Sequence, residues 1–271
     1  MPACIMGIVN VTPDSFSDGG EFLDPDRAIA HGRELAAEGA DLLDIGGEST
    51  RPGAGGVTAE EELARVRPVV DVLAHDDGPP ISIDTSKLAV AEAALGAGAA
   101  MVNDVTALRA EPELAALCAE RDCELVLMHM LGDPRSMQEN PVYEDVVDDI
   151  KAFLAERIQF ALSKGVSEER IWVDPGIGFG KTVEHNLELH RRLPELAELG
   201  RPIAFGSSRK SFIGKLTGAE VDQRLGGTIA SNVIAYANGA RMLRVHDVGP
   251  MREALTVADA IINPRTHESA S

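Results

Sequence analysis

Residues that could bind or react with a ligand are concentrated where short apolar runs of this sequence end. Carboxylates accept N–H donors, amides accept and donate, and histidine can do either, so such ends could build an active site. At any single position a helix cap or turn is the commoner role, but chance poorly explains a whole set directed at one face. The set is Asn10, Asp44, Asp84, Asn103, His129 and Asp174, with Ser207, Ser208 and His246 just beyond their strands.

The charge balance restricts the partners of the chain. Its 271 residues include 44 acidic and 25 basic side chains, a formal net charge of −19. Such a surface repels nucleic acid and anionic membranes, so neither is an expected partner. A small anionic substrate remains possible if basic groups are concentrated at its site. The sequence offers Arg51, Arg209, Lys210 and Arg244 for this purpose.

The elements that must position these residues alternate regularly between strands and helices. Eight short apolar runs, each flanked by Gly, Pro or Asp, predict buried parallel strands. Between them, helices are indicated by the Thr58–Glu61 capping box and by apolar residues at helical spacing. This α/β order predicts a single-domain (β/α)8 TIM barrel, with an open doubly wound sheet as the alternative. The predicted strands are Cys4–Asn10, Asp41–Ile45, Ile81–Asp84, Met101–Asn103, Glu124–His129, Ile171–Asp174, Pro202–Gly206 and Arg241–Val245.

The cysteines and the chain ends indicate a cytoplasmic protein. Cys4, Cys118 and Cys123 are odd in number and form no CxxC pair, so they predict neither a disulfide framework nor a zinc site. No apolar run reaches the length of a membrane span, and residues 1–7 lack signal-peptide features. Residues 263–271 are expected to be a frayed tail.

Two short patterns look functional but do not fit their motifs. The stretch 176–182 resembles a phosphate loop, but Pro175 stands where a Walker A motif requires its first glycine. Its glycines also miss the GxGxxG spacing, because the third comes one residue early. Val9-Asn10-Val11 stands where metal hydrolases of this fold usually carry His-x-His. Nucleotide binding and metal-dependent hydrolysis are therefore disfavoured.

Eight segments, in the same order along the chain, carry a resemblance to a known family. They are residues 10–20, 46–53, 83–86, 102–105, 127–130, 174–181, 208–211 and 244–247. Together they closely resemble dihydropteroate synthases from residue 5 to about residue 262. The resemblance implies a cytoplasmic, homodimeric transferase of folate biosynthesis. It would join dihydropterin pyrophosphate to p-aminobenzoate, with Mg²⁺ as cofactor, and release pyrophosphate.

The resemblance also implies the division of the site among its ligands. Lys210, Arg244 and His246 would be the catalytic residues. The pterin would be bound by Asp84, Asn103, Val105, Met128, Asp174, Phe179 and Lys210, although plain barrel packing explains Val105 and Met128 equally well. The pyrophosphate would be bound by Asn10, Thr50, Arg51, Arg244 and His246, with Asn10 as the metal ligand. The p-aminobenzoate would be bound by Phe16, Arg51, Pro52, Phe179 and Ser211, the last opening a helix.

Two other functions and several subsidiary expectations stay open on the sequence. A methyltetrahydrofolate–corrinoid methyltransferase or a non-catalytic pterin-binding paralogue would share the pterin pocket. The long segments 11–24 and 46–57 are expected to be mobile lids over the substrates. The role of His129 is left open. Solvent exposure is expected for the remaining histidines, namely His31, His75, His185, His190 and His267.

Overall fold

The strands of the computed structural model close into one barrel. The structure describes residues 3–12, 25–49, 55–133 and 136–263. Each strand pairs in parallel with the next along the chain, and the last pairs with the first, where Met6 lies opposite Arg244. The (β/α)8 barrel is thereby confirmed over the open sheet. The strands are β1 Cys4–Asn10, β2 Leu42–Gly46, β3 Ile81–Asp84, β4 Met101–Asp104, β5 Glu124–Met128, β6 Ile171–Asp174, β7 Ile203–Phe205 and β8 Ala240–Val245.

Helices with identifiable start signals surround the barrel. Thr58 accepts from the Glu61 N–H at 3.2 Å and its own N–H donates to the Glu61 carboxylate at 3.0 Å, which confirms the capping box before α2. In the last helix, Met251, Leu255 and Ile261 share the apolar helical spacing, but only Met251 and Leu255 are buried, and Ile261 is 73% exposed. The helices are α1 Pro25–Ala37, α2 Ala59–Leu73, α3 Leu88–Gly96, α4 Leu114–Arg121, α5 Val146–Ser163, α6 Val183–Arg191, α7 Ser211–Thr217, α8 Leu225–Ala237 and α9 Val248–Ile262, and short 3-10 helices span Glu168–Arg170, Leu193–Leu199 and Val221–Gln223.

None of these described helices combines the length and apolar character needed to cross a bilayer. The larger apolar core lies between the strands and the helices, where residues such as Ile5, Val9 and Ile45 are buried. A smaller cluster fills the barrel interior. It consists of Met6, Leu42, Met101, Val126, Ala204 and Met242.

Along the strands, the side chains that point into the barrel change from apolar to polar between one inward-pointing residue and the next. Side chains two residues apart on a strand share a face, so the residue two after each inward apolar residue also points inward. Leu42 is thus followed by Asp44, and Met101 by Asn103. On β8, Met242 is followed by Arg244 in the same way. The lower lumen is therefore packed with apolar side chains, and the upper lumen, at the carboxyl ends of the strands, is lined with polar and charged ones.

The segment after β6 requires glycine at the point where it turns past β5. Gly176 has φ of +68°, and a Cβ at this position would lie 1.9 Å from the carbonyl oxygen of His129. Gly200 has the same φ of +68° but has open space where its Cβ would be. The two positions share the backbone conformation and differ in the available room.

We expect Gly176→Ala to destabilise the protein more than Gly200→Ala. Both variants carry the left-handed penalty of about 1–2 kcal/mol, and only the first adds a steric clash, for which we expect about 1–3 kcal/mol more. Denaturant unfolding of both variants measures the difference. Equal destabilisation would show that the close approach of residues 176 and 129 does not constrain the fold.

Candidate active site

A charged cluster lies at the centre of the upper lumen. The Arg244 Nε donates to the Asp44 carboxylate at 2.5 Å, and its Nη2 donates to the Asp84 carboxylate at 2.7 Å. The Asn103 amide donates to the same oxygen of Asp44 at 3.1 Å. Residues from β2, β3, β4 and β8 are thus joined in one network. The other carboxylate oxygen of Asp44 is buried and has no hydrogen-bond partner among the described residues.

Burial and charge act in opposite directions on this cluster. Burial raises the pKa of Asp84 to about 7, although the Arg244 guanidinium lowers it. Burial lowers the pKa of Arg244, but the charges of Asp44 and Asp84 more than offset this and hold it above its ordinary value. Arg244 therefore stays cationic, and burial makes Asp84 easier to protonate than an ordinary carboxylate. The site combines a permanent positive charge with a buried acid that this charge helps to keep ionised.

Two further charged residues lie near this cluster, namely Asp174 at the end of β6 and Lys210 in the segment after β7. Asp174, the last residue of β6, accepts from the Gly176 N–H at 2.7 Å. Burial raises the pKa of Asp174 to about 6, opposed by the Gly176 N–H and by the charges of Lys210, Lys181 and Arg244. The Lys210 ammonium lies 3.9 Å from the centroid of the Phe179 ring, a cation–π contact. Asp174, Lys210 and Phe179 are thus brought to one side of the mouth.

Apolar side chains form a separate wall next to these polar groups. Val105, Met128 and Phe179 belong to one buried cluster that is distinct from the cluster in the lower lumen. Met130 and Met137 complete it, and both were missed in the sequence because they lie beyond the end of a strand. The three predicted residues are therefore brought together, and their contact with a pterin stays a prediction.

The residues assigned to the anionic ligands lie around the rim. Asn10 ends β1, opposite Gly46 of β2. His246 directly follows β8, with its Nδ1 2.9 Å from the Ser208 hydroxyl. Ser211 is exposed and begins α7, as expected. Four other predicted residues lie outside the described part of the chain, namely Phe16, Thr50, Arg51 and Pro52. Large parts of both predicted lids lie outside it as well.

Sequence reasoning missed three residues of the site and misplaced one histidine. Asp44 was recognised as a strand end but given no role, and Lys181, which belongs to the false phosphate loop and to the family segment 174–181, was also given no role. His129 proves to be a buried partner of Lys181, at 3.0 Å. The prediction of a solvated His190 is wrong. Its ring is buried, within 2.6 Å of both the Ser231 hydroxyl and a main-chain oxygen of α6.

Comparisons with known proteins agree with this geometry. The sequence profile of the family described as "Pterin binding enzyme" matches residues 6–246. A dihydropteroate synthase of Synechocystis sp. is 46% identical over 258 residues, covering 95% of this chain and 89% of that protein. The structure of Xanthomonas albilineans dihydropteroate synthase with 4-aminobenzoic acid has a TM-score of 0.90 and 50% identity, covering 96% of this chain and 93% of its own. A structure of the X. albilineans enzyme in complex with 7,8-dihydropteroate has a TM-score of 0.87 and 48% identity, with 96% and 94% coverage.

The fold and the matched profile define a pterin-binding enzyme built on a (β/α)8 barrel. More narrowly, the chain belongs to the dihydropteroate synthase family, whose members are transferases. Because the resemblance extends over nearly the whole length of both proteins, the match is not confined to a shared barrel scaffold.

Because the pKa of Asp174 is raised, its charged form should lower the stability of the folded protein, and this loss can be measured. The folded protein binds its proton more tightly than the unfolded chain, so stability falls as pH rises from about 4 to about 6. Asp174→Asn removes the charge and keeps an acceptor for Gly176. We expect it to stabilise the fold by roughly 2–3 kcal/mol at pH 8 and by clearly less at pH 5.

Denaturant unfolding at both pH values measures this difference. The same substitution at the exposed Asp222 is the control and should show no comparable pH dependence. A gain for Asp174→Asn that is equal at the two pH values would contradict the assignment of a buried, charged Asp174.

Proposed function

We propose that this chain condenses 6-hydroxymethyl-7,8-dihydropterin pyrophosphate with p-aminobenzoate, giving 7,8-dihydropteroate and pyrophosphate in folate biosynthesis. The observation that carries the proposal is that Asp84, Asn103 and Asp174 converge in one largely buried lumen. The positive charges of Arg244 and Lys210 lie beside them. The similar X. albilineans structures, which contain 4-aminobenzoic acid and 7,8-dihydropteroate, support the substrate classes.

The pterin ring fits the acceptors and the apolar wall of the lumen. Its pyrimidine edge presents alternating donors and acceptors, and a carboxylate such as Asp174 can accept two N–H groups at once. Asn103 can both accept and donate, and Lys210 donates to ring acceptors. The unpartnered oxygen of Asp44, whose other oxygen accepts from Asn103, adds a further acceptor. Phe179 and its cluster cover an apolar face of the ring.

The departing pyrophosphate requires cations and hydrogen-bond donors. Arg244 and His246 supply them from β8 and the position directly after it. Two N–H groups of Arg244 already donate to Asp44 and Asp84. A bidentate fork on phosphate therefore requires Arg244 either to release one carboxylate or to use its remaining N–H groups. In both cases its positive charge stabilises the leaving anion.

The reaction requires positioning and charge stabilisation rather than a protein nucleophile. The C–O bond to pyrophosphate breaks, the amine nitrogen of p-aminobenzoate bonds to the pterin methylene carbon, and the amine loses a proton. In a loosely bonded transition state, the barrier falls when the two substrates are held in line and the anion is stabilised. Ser211 at the start of α7 would bind the p-aminobenzoate carboxylate, which holds the amine towards the pterin.

The residues present fit a Mg²⁺ ion that arrives with its anionic substrate. Among the described residues, no group of three or more acidic, histidine or cysteine side chains could hold a metal ion. The amide oxygen of Asn10 would be one protein ligand, and Mg²⁺ in such sites takes most of its other ligands from substrate phosphates and water. When bound, the ion would neutralise the charge that develops on the pyrophosphate.

The surface and the cysteines support two further proposals, a homodimer and a cytoplasmic location. α7 and α8 pack together and leave large apolar side chains in solvent, with Leu216 55% exposed and Ile234 51% exposed. A symmetric pair of such faces would bury these side chains against each other. Cys4, Cys118 and Cys123 are all free, as expected in a reducing compartment.

The two other functions predict different outcomes in one assay. We expect the chain to release pyrophosphate only when dihydropterin pyrophosphate and p-aminobenzoate are both present, with equimolar dihydropteroate. A corrinoid methyltransferase would form no dihydropteroate, and a non-catalytic paralogue would bind the pterin without turnover. Coupled pyrophosphate detection with chromatography of the product distinguishes the three. Absence of product from folded, pterin-binding protein would refute the proposal.

Removal of the metal tests the role assigned to Asn10. In excess EDTA we expect pyrophosphate release to fall by at least about tenfold, and added Mg²⁺ to restore it, because the leaving anion loses its neutralising partner. Asn10→Ala should raise the Mg²⁺ concentration required for half-maximal rate. Full activity in EDTA would remove the metal from the mechanism.

A further inference from the structure

Lys181 is a buried lysine whose role the reaction scheme does not explain. The residue is 3% exposed and lies in the segment between β6 and α6. Its ammonium lies 3.0 Å from His129 Nδ1 and 2.9 Å from the Phe179 carbonyl oxygen. Among the described residues, no carboxylate lies within ion-pair distance of it, although buried lysines are usually paired.

His129 is in the right state to hold this lysine. Burial, with the charges of Lys181 and Arg109, lowers the pKa of His129 to about 2. Its ring is therefore neutral, and Nδ1 can accept from the Lys181 ammonium. The ring is itself fixed by an edge-to-face contact with Phe153, whose centroid is 4.9 Å away. His129, which directly follows β5, therefore holds the Lys181 side chain in place.

The Phe179 carbonyl is one of three consecutive carbonyls that accept from side chains. The Gln138 amide donates to the Gly178 carbonyl at 2.5 Å, and the Tyr143 hydroxyl donates to the Gly180 carbonyl at 2.8 Å. Lys181 donates to the carbonyl between them. Gln138 and Tyr143 both come from the segment between β5 and α5. The main chain at Phe179 is therefore fixed at three points, of which Lys181 is the central one.

The Phe179 side chain faces the proposed pterin pocket. Its ring contacts the apolar wall that includes Met128 and lies 3.9 Å from the Lys210 ammonium. A shift of the main chain at residue 179 would displace this ring and disturb its contact with Lys210. Lys181 itself is buried behind the segment and makes its contacts with protein groups.

We propose that Lys181 is a positioning residue, held by His129, which fixes the main chain at Phe179 and thereby sets the aromatic wall of the pterin pocket. The inference rests on the proposed function of the pocket, but it concerns binding of the pterin and not turnover. A purely structural lysine would instead contribute to the stability of the fold and leave the pocket unchanged once the protein is folded.

The charge of Lys181 has a second consequence for the pocket. It lowers the pKa of Asp174, so it helps to keep that carboxylate ionised against burial. Burial lowers the pKa of Lys181 itself to about 7, although Asp174 raises it. The titratable and charged groups that face this position from the surrounding elements are His129, Arg109, Asp174, Lys210 and His185.

The test compares Lys181→Met with Lys164→Met, the same substitution at an exposed lysine at the end of α5. The probe is 6-hydroxymethylpterin, titrated calorimetrically, with thermal unfolding recorded for each variant. We expect Lys181→Met to bind the pterin at least about tenfold more weakly with an unchanged or higher Tm, because Met removes a buried charge and keeps the volume. Lys164→Met should match the wild type in both measurements. Wild-type affinity in folded Lys181→Met would overturn the proposal.

Two further measurements separate positioning from a general loss of structure. The pH below which pterin binding fails should move upward in Lys181→Met, since Asp174 loses a cation that keeps it ionised. His129→Gln keeps an acceptor for Lys181 and should bind the pterin within about threefold of the wild type, whereas His129→Leu should lose at least about tenfold. Equal affinities of the two His129 variants, or an unmoved pH limit, would count against the proposal. A wild-type protein that binds pterin but releases no pyrophosphate would refute the proposed reaction and leave this test readable.

Discussion

The polar mouth of the barrel depends on the ion pairs that Arg244 makes across the lumen. The neighbouring strands β2 and β3 bring Asp44 and Asp84 within reach of one guanidinium, where two largely buried carboxylates would repel each other. Arg244 donates to both, at 2.5 and 2.7 Å. Removing such charges from water is costly unless the geometry is good and additional hydrogen bonds are made. Asn103 supplies one of these to Asp44, so four strands contribute to a single balance of charge.

Buried carboxylates are also neutralised by a cation in the next layer of the fold, between the barrel and α2. Lys87, three residues beyond β3, pairs with both Glu48 and the fully buried Glu62 of α2. The charge of Glu62 also raises the pKa of Asp84, so the two clusters are linked electrostatically. The capping box that starts α2 thus does more than begin a helix, because it places Glu62 where Lys87 can neutralise it. The position of α2, the segment after β2 and the charge of the lumen therefore depend on one another.

The sequence predicted the barrel and much of the mouth because their signals are local. Apolar runs that end on a polar residue located Asp84, Asn103 and Asp174, and the observed strands end within one residue of the predictions. Capping and helical spacing likewise depend on residues a few positions apart. Even so, helical spacing identifies an apolar stripe without showing whether anything covers it, and Ile261 of α9 belongs to such a stripe but is 73% exposed.

The contacts that the sequence could not predict join residues far apart in the chain. Asp44 receives its role from Arg244, 200 positions away, and Lys181 from His129, 52 positions away. His190 was predicted to be exposed to solvent and is followed by two arginines, yet its ring reaches Ser231 of α8. No local pattern carries this information. The resemblance located matching positions, but it could not state which charges oppose one another in this lumen.

The compensated lumen also determines what a ligand must offer. Asp84 is satisfied by a guanidinium, whose paired N–H groups resemble the amino-pyrimidine edge of a pterin. Under the proposed function, a pterin that binds at Asp84 would exchange one set of donors for a similar one and would gain only the difference between their affinities. Asp174 instead accepts from a main-chain N–H and has lysine charges nearby, so a ligand adds hydrogen bonds there without displacing a guanidinium.

Selectivity should accordingly reside on the β6 side of the mouth, where Asp174 ends β6 and Phe179 lies in the segment that follows it. The cost of dehydrating the carboxylates is met when the protein folds, as the raised pKa values of Asp84 and Asp174 indicate. A ligand would then meet charged groups whose geometry is already fixed by their hydrogen bonds, which is the condition under which fixed dipoles and charges stabilise a transition state most effectively.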